Sequence, residues 1–205
     1  MERAGSCAVR RLPRACGHAR ALVIRHCGGC GAALPGGRPA TCSACGRVEW
    51  RNAKPCAAAL VTRDNRLLLV RRAHPPWHGL WCAPSGFCDG PEHPVDAAER
   101  EVREEAGVDA RVTAYLGTWL APYTDSRVEP ETEYVSVQYY LAVPGPRPDV
   151  SHDTDEVSEL GWFGRDELPT ELAPPGVLHE ILAAWRIAVD RGAPPPLADR
   201  GVRRD

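Results

Sequence analysis

Gly86-Phe-Cys-Asp-Gly-Pro-Glu92-His-Pro94-Val-Asp-Ala-Ala-Glu-Arg100-Glu101-Val-Arg-Glu104-Glu105-Ala-Gly107-Val108 carries the punctuation of one helix. Pro94 suits an early helical position, because its ring presets φ and its missing N–H is not needed there. Gly107 suits the stop, where a left-handed residue without a Cβ is cheap. Val95, Ala98 and Val102 recur at helical spacing and give an apolar, core-facing side. Glu101, Glu104 and Glu105 stand at i, i+3 and i+4, so their carboxylates converge on the neighbouring side.

Three converging carboxylates repel one another. A bare run of this kind is usually a solvated helix face. Beside a buried stripe, however, a hard divalent cation removes the repulsion, and oxygen-only ligands suit Mg²⁺ or Mn²⁺ rather than Zn²⁺. The complete spacing is Gly86, five residues, Glu92, seven residues, then Arg100-Glu101-Val102-x-Glu104-Glu105-x-Gly107-Val108. At every specified position it resembles the signature of the Nudix hydrolases.

That resemblance implies an α/β fold, a mixed sheet sandwiched between helices. It also implies hydrolysis of a nucleoside diphosphate linked to a second group, by substitution of water at a phosphorus. Carried over by position, Glu101, Glu104 and Glu105 match the metal-binding glutamates, one of which often serves as base. Arg100 matches the arginine that orients them, and Glu92 the first glutamate of the motif, a ligand or a group behind the ligands. Gly86 matches the glycine whose backbone approaches metal or phosphate. In some subgroups the base lies in a late acidic loop; Asp153, Asp155 and Glu156 occupy one here, and Glu156 is the first choice. Ser85 departs from the usual glycine, and Asp89-Gly90-Pro91-Glu92 from the usual Glu-x-Gly-Glu. His93 lies outside the pattern.

Composition bounds this reading. A chain of 205 residues holds one good-sized core, or a moderate domain with a small appendage. The formal charge of −2 gives no long-range pull toward nucleic acid or membranes. No apolar run approaches the roughly 18 residues a span needs, and no continuous apolar stretch marks a secretory signal. Nine cysteines, an odd number with four of them in two CxxC pairs, argue for a reducing cytoplasm and a metal rather than for disulfides.

Residues 1–25 read as a poorly ordered leader. Residues 26–50 hold Cys27-Gly-Gly-Cys30-Gly and Cys42-Ser-Ala-Cys45-Gly, two knuckles that together offer four thiolates to a structural Zn²⁺. In each, the turn aims two sulfurs at one ion and the trailing glycine is expected to relieve crowding. A redox or disulfide pair is the alternative. The segment resembles the zinc ribbon that precedes some Nudix domains, including those of the NADH pyrophosphatases.

The catalytic domain is expected over residues 55–190. Ala57–Thr62 and Arg66–Arg71 read as strands joined at Asp64-Asn65, and Leu80–Pro84 as a short strand. Arg111–Leu120 is an alternating strand, Glu133–Val143 a long one with a central place in the sheet, and Glu156–Phe163 a late one. Pro175–Val189 forms a closing helix that buries Leu178, Ile181, Leu182 and Trp185. Residues 191–205 read as a disordered tail.

For the substrate, Gly117-Thr-Trp-Leu-Ala-Pro-Tyr123 stands where NADH pyrophosphatases carry Ser-Gln-Pro-Trp-Pro-Phe-Pro. The chain is therefore more similar to the pyrophosphatases of ADP-ribose, dinucleotides or FAD-like molecules. Trp77, Trp119 and Tyr123 are the aromatics available to stack on a base, whereas Trp81 and Trp162 read as core. Other readings are a dedicated biosynthetic diphosphate hydrolase, a nucleotide-sensing module that no longer cleaves, and an RNA 5′-end-processing role for which the basic excess is small. The resemblance also admits a homodimer.

Overall fold

The computed structural model describes residues 26–35, 39–50, 52–123, 134–146 and 155–191. The expected leader, the tail from residue 192 and the middles of the loops at 124–133 and 147–154, Asp153 included, lie outside them.

The two knuckles come first. Each closes by a glycine N–H donating to the first cysteine's carbonyl, Gly31 to Cys27 at 2.8 Å and Gly46 to Cys42 at 2.9 Å. Strands β1 (Ala40–Thr41) and β2 (Val48–Glu49) pair antiparallel around the second knuckle. Gly31 and Gly46 have φ of 73° and 76°, and a Cβ at either would meet nothing within 4 Å. The knuckle glycines therefore supply a left-handed turn, not the relief of crowding expected from the sequence.

Strand β3 (Lys54–Arg63) turns at Asp64 and Asn65, both with positive φ (49° and 58°), into β4 (Arg66–Arg72). That backbone is the one a two-residue hairpin needs and that Asp and Asn tolerate. Then come β5 (Trp81–Cys82), β6 (Ser85–Phe87), helix α1 (Pro94–Ala106), β7 (Ala110–Pro122), β8 (Tyr134–Pro144), β9 (Val157–Gly164) and helix α2 (Val177–Asp190). The sheet runs β5-β4-β3-β8-β7, with β6 on β3 and β9 on β4. Among the described strands, β3 and β8 pair in parallel, from Lys54↔Val135 to Val61↔Ala142, and the other strand pairs are antiparallel, which makes the sheet mixed as expected. β8 is the inner strand its length foretold.

Cys56 to Val61 are all buried, as a strand covered on both faces requires. Three of these residues are the alanines 57–59, and α1 answers with Ala97 and Ala98, all fully buried. Small side chains on both elements let the helix lie close to the strand. α1 begins where expected: the His93 side chain accepts from the Val95 N–H at 3.2 Å, which gives that residue a capping role. It ends at Gly107, φ 66°, whose N–H donates to the Arg103 carbonyl. α2 buries Leu178, Ile181, Leu182 and Trp185, the four residues its periodicity selected, and the Trp185 indole N–H donates to Thr62 Oγ1 at 2.9 Å. No helix of the described residues is long and apolar enough to cross a membrane.

Candidate active site

The register of β3 against β6 sets Gly86 opposite Ala57 and Ser85 opposite Ala58. This holds β6 against the acidic side of α1. The Ser85 N–H donates to Glu105 Oε2 at 2.9 Å, a backbone bond that serine gives as well as glycine would. Gly86 lies so near Glu101 that a Cβ would fall 2.0 Å from its Oε1. Because Glu101 is buried and held by an arginine, it has nowhere to retreat. If Glu101 is the metal ligand that the resemblance implies, Gly86→Ala should lower turnover by about 100-fold in a folded protein, as loss of a group that holds a metal ligand does; circular dichroism and a kinetic assay check both halves.

Arg100 is the hub behind these carboxylates. Its Nε and Nη2 donate to the two oxygens of Glu92, each at 2.9 Å. Nη1 donates to Glu101 Oε1 and to Glu104 Oε2, each at 2.7 Å, and Nη2 also reaches the Phe87 carbonyl at 3.0 Å. A guanidinium has five N–H donors, and all five are engaged. Glu92 also accepts from the Asp89 N–H, so its carboxylate faces Arg100 and the loop.

The electrostatics follow from this geometry. Hydrogen bonds from Arg100 hold the Glu92 carboxyl below the usual range, and Glu92 in turn leads the rise of the Arg100 pKa. Burial pushes Glu101 up, against the pull of Arg100. Glu105 is pushed up to about 8, by burial first and then by the charge of Glu101, with the Ser85 N–H opposing. Two buried carboxylates side by side, with one saturated arginine to compensate, are a donor set that fits a hard divalent cation.

Glu101, Glu104 and Glu105 open onto a cavity of about 650 Å³ that Arg100 and Gly86 also line. The exposed Glu156 stands on its rim, and its charge adds to the rise at Glu101 and Glu105. Trp77 and Tyr123 form one wall, edge to face with centroids 6.2 Å apart, and Phe87 meets Tyr123 at 5.2 Å. Trp77 is buried and has a φ of 63°, a strained backbone for a bulky residue. Trp119 lies outside the cavity, edge-on to Tyr139 at 5.6 Å. Trp81 and Trp162 pack against the core as expected.

Sequence reasoning singled out neither the floor nor one wall of this cavity. Cys56, Cys82 and Tyr139 form much of the floor, and burial pushes both thiols up to about 12. Arg72 lines the wall at the end of β4. Alternation along β3 and β8 would have placed Cys56 and Tyr139 on an inward face, but only with the strand register in hand.

The second cluster is that of the knuckles. The sulfurs of Cys27, Cys30, Cys42 and Cys45 lie within 4.8 Å of one another. Cys27–Cys45 and Cys30–Cys42 are each 3.6 Å apart, and all four are free thiols. A tetrahedral zinc with bonds of about 2.3 Å spaces its sulfurs about 3.8 Å apart, so the donors fit. Cys42 is lowered to about 7, chiefly by the hydrogen bond from the Cys45 backbone.

A family model described as NUDIX domain matches residues 52–183. The NAD-capped RNA hydrolase NudC of Stutzerimonas stutzeri is 30% identical over 179 residues, 84% of this chain and 59% of that one. The ADP-ribose pyrophosphatase of Methanocaldococcus jannaschii is 29% identical over 110 residues, 54% of this chain and 61% of that one. A NUDIX hydrolase of known structure from Nitrosomonas europaea superposes with a TM-score of 0.68 at 23% identity, over 84% of this chain and 96% of that one, a likeness of fold. The chain spans about three fifths of the length of these curated relatives.

Proposed function

Because the chain belongs to the Nudix family, we propose that the carboxylate-lined cavity is the active site of a pyrophosphohydrolase. It cleaves the diphosphate of a small nucleoside diphosphate derivative, of the ADP-ribose, dinucleotide or FAD-like kind, to a nucleoside monophosphate and a second phosphate product. The observation that carries this reading is the buried pair Glu101 and Glu105 facing a cavity with an aromatic wall. The name of the archaeal relative supports the substrate class.

In this reading Glu101, Glu104 and Glu105, with the backbone at Gly86, hold Mg²⁺ or Mn²⁺. Bound there, the metal would neutralise diphosphate oxygens and lower the pKa of a water. Arg100 fixes the carboxylates by its bonds to Glu101 and Glu104. Glu92, with both oxygens on Arg100, fixes the arginine, so we assign it to the support of the metal ligands. Trp77 and Tyr123 receive the planar base. Glu156, exposed on the rim, accepts the proton of the attacking water. Glu156→Gln should then lower kcat by about 100-fold with KM little changed, as loss of a general base does.

The four knuckle cysteines hold a structural Zn²⁺, making residues 26–50 a ribbon module ahead of a catalytic domain at residues 55–190. Reduced thiols and zinc suit a reducing cytoplasm, and a homodimer completes the reading. A second substrate, 5′-capped RNA, is favoured by the name of the bacterial relative and by the ribbon's Trp50, which is 65% exposed. The test is phosphate release with Mg²⁺ or Mn²⁺ and added phosphatase, across ADP-ribose, NADH, NAD⁺, FAD, diadenosine polyphosphates, coenzyme A, nucleotide sugars, nucleoside triphosphates and capped RNA. Silence across that panel from folded, metal-loaded protein defeats the reading. A preference for capped RNA that falls steeply with salt selects the second substrate.

A further inference from the structure

Among the described residues, five carboxylates line the cavity (Asp89, Glu101, Glu104, Glu105 and Glu156), against two cations, Arg72 and Arg100. Arg100 has all five donors engaged. Arg72 does not. Its Nε donates to the Pro76 carbonyl at 2.7 Å and the Cys82 thiol lies beside it. Among the described residues no carboxylate lies within salt-bridge distance of it. The guanidinium lines the cavity beside that thiol, and its charge is felt at Glu105.

The position is a fixed one. Arg72 ends β4, where its own N–H donates to the Leu80 carbonyl at 3.0 Å and its carbonyl accepts from Gly79 at 2.9 Å. The next residue, Ala73, donates to the carbonyl of Glu156 at 2.8 Å, so Arg72 adjoins the rim that bears Glu156. A dianionic diphosphate entering a carboxylate-lined cavity has oxygens that turn away from the glutamates and need a counter-charge. A planar guanidinium meets phosphoryl oxygens two at a time, and one already anchored through Nε loses little freedom in doing so.

We propose that Arg72 is a substrate-binding residue that grips the diphosphate on the side facing away from Glu101, Glu104 and Glu105. This rests on the proposed reading of the site as diphosphate-cleaving. It adds a second half to that site, supplied by β4 and independent of α1. It also links recognition to the aromatic wall, because the same guanidinium holds the carbonyl immediately before Trp77.

Calorimetric binding of α,β-methylene ADP with Mg²⁺ tests this without any turnover, since the carbon bridge resists hydrolysis. Arg72→Gln retains a donor for the Pro76 carbonyl but no charge, whereas Arg72→Lys retains the charge. We expect Arg72→Gln to weaken binding roughly 10- to 100-fold, the range of a charge-assisted hydrogen bond, and Arg72→Lys to stay within about tenfold of the wild type. Binding by Arg72→Gln within about threefold of the wild type overturns the proposal. So does a loss in Arg72→Lys as large as that in Arg72→Gln, which would make the arginine a packing element of the Trp77 loop. Wild-type protein that hydrolyses a panel substrate yet shows no charge-dependent loss leaves the enzyme reading intact and removes Arg72 from it. Wild-type protein that neither binds the analogue nor hydrolyses the panel defeats both.

Discussion

Replacing Glu105 with Gln is expected to abolish turnover and, in metal-free protein at pH 8, to raise the melting temperature. The two effects have one cause, a carboxyl group buried beside Glu101 with a single backbone N–H for support. Loss of a group behind a metal ligand typically costs about 10- to 100-fold, so loss of Glu105, a ligand in the proposed reading, should lower kcat/KM by about 1,000-fold or more. The stability effect has a definite sign. In the folded, metal-free protein Glu105 holds its proton to a pH of about 8, against an ordinary value of 4.5. Below the ordinary value both states are protonated and the burial is harmless. As the pH rises toward 8 the unfolded chain releases its proton and the folded one cannot, so folding weakens, by an upper bound of roughly 5 kcal/mol. Gln never ionises and escapes this loss. The gap in melting temperature between variant and wild type, measured in EDTA, should open between pH 5 and pH 8 and close when Mg²⁺ is added to the wild type alone. A gap that does not change with pH would falsify the placement of this charge. By the same linkage, if these carboxylates hold Mg²⁺ as proposed, its binding to the wild type should release protons at pH 7 and tighten as the pH rises.

Removal of the proposed zinc is the second large effect expected. Among its described residues the ribbon has two strands of two residues each and buries only Cys27, Ala40 and Cys42. A hairpin of that size is not stable in water, whereas a structural zinc supplies on the order of 10–16 kcal/mol. Cys27→Ser should drop the zinc content from one ion per chain to near zero, measured by plasma mass spectrometry. Residues 26–50 should then become protease-sensitive while the main thermal transition, that of the sheet and its helices, persists. Wild-type protein purified without zinc would remove the assignment.

Local chemistry made much of this molecule legible. Pro94 and Gly107 bracket α1, Asp64-Asn65 forms the hairpin turn, and the apolar stripe of α2 names the residues it buries. The glutamate spacing likewise brought the carboxylates together before any coordinates. The cavity's other walls were not legible, because long-range pairing assembles them. Tyr139 joins Cys56 on the floor through the parallel register of β3 and β8. Trp119 shows a different obstacle. β7 uses thirteen residues to match the eleven of β8, with irregularities near Val112 and Tyr115, so simple alternation cannot say which way an aromatic beyond them faces. Arg72 is not legible in this way, because one of two adjacent arginines at a strand end reads as surface and its bond to the Pro76 carbonyl depends on the turn that follows.

The parallel pairing of β3 with β8 also sets a timetable for the chain as it leaves the ribosome. Lys54 waits for Val135, about 80 residues downstream, a separation that slows folding. At synthesis rates of about 5–20 residues per second, that edge of β3 stands without its partner for about 4–16 s. The apolar run from Cys56 to Val61, covered in the finished fold, lacks that cover during the interval. The ribbon's four cysteines, spanning Cys27 to Cys45, are all synthesised before it. Chaperone demand for this protein should therefore be fixed by the delay before β8 emerges, and it should rise when translation is slowed between Gly107 and Tyr134.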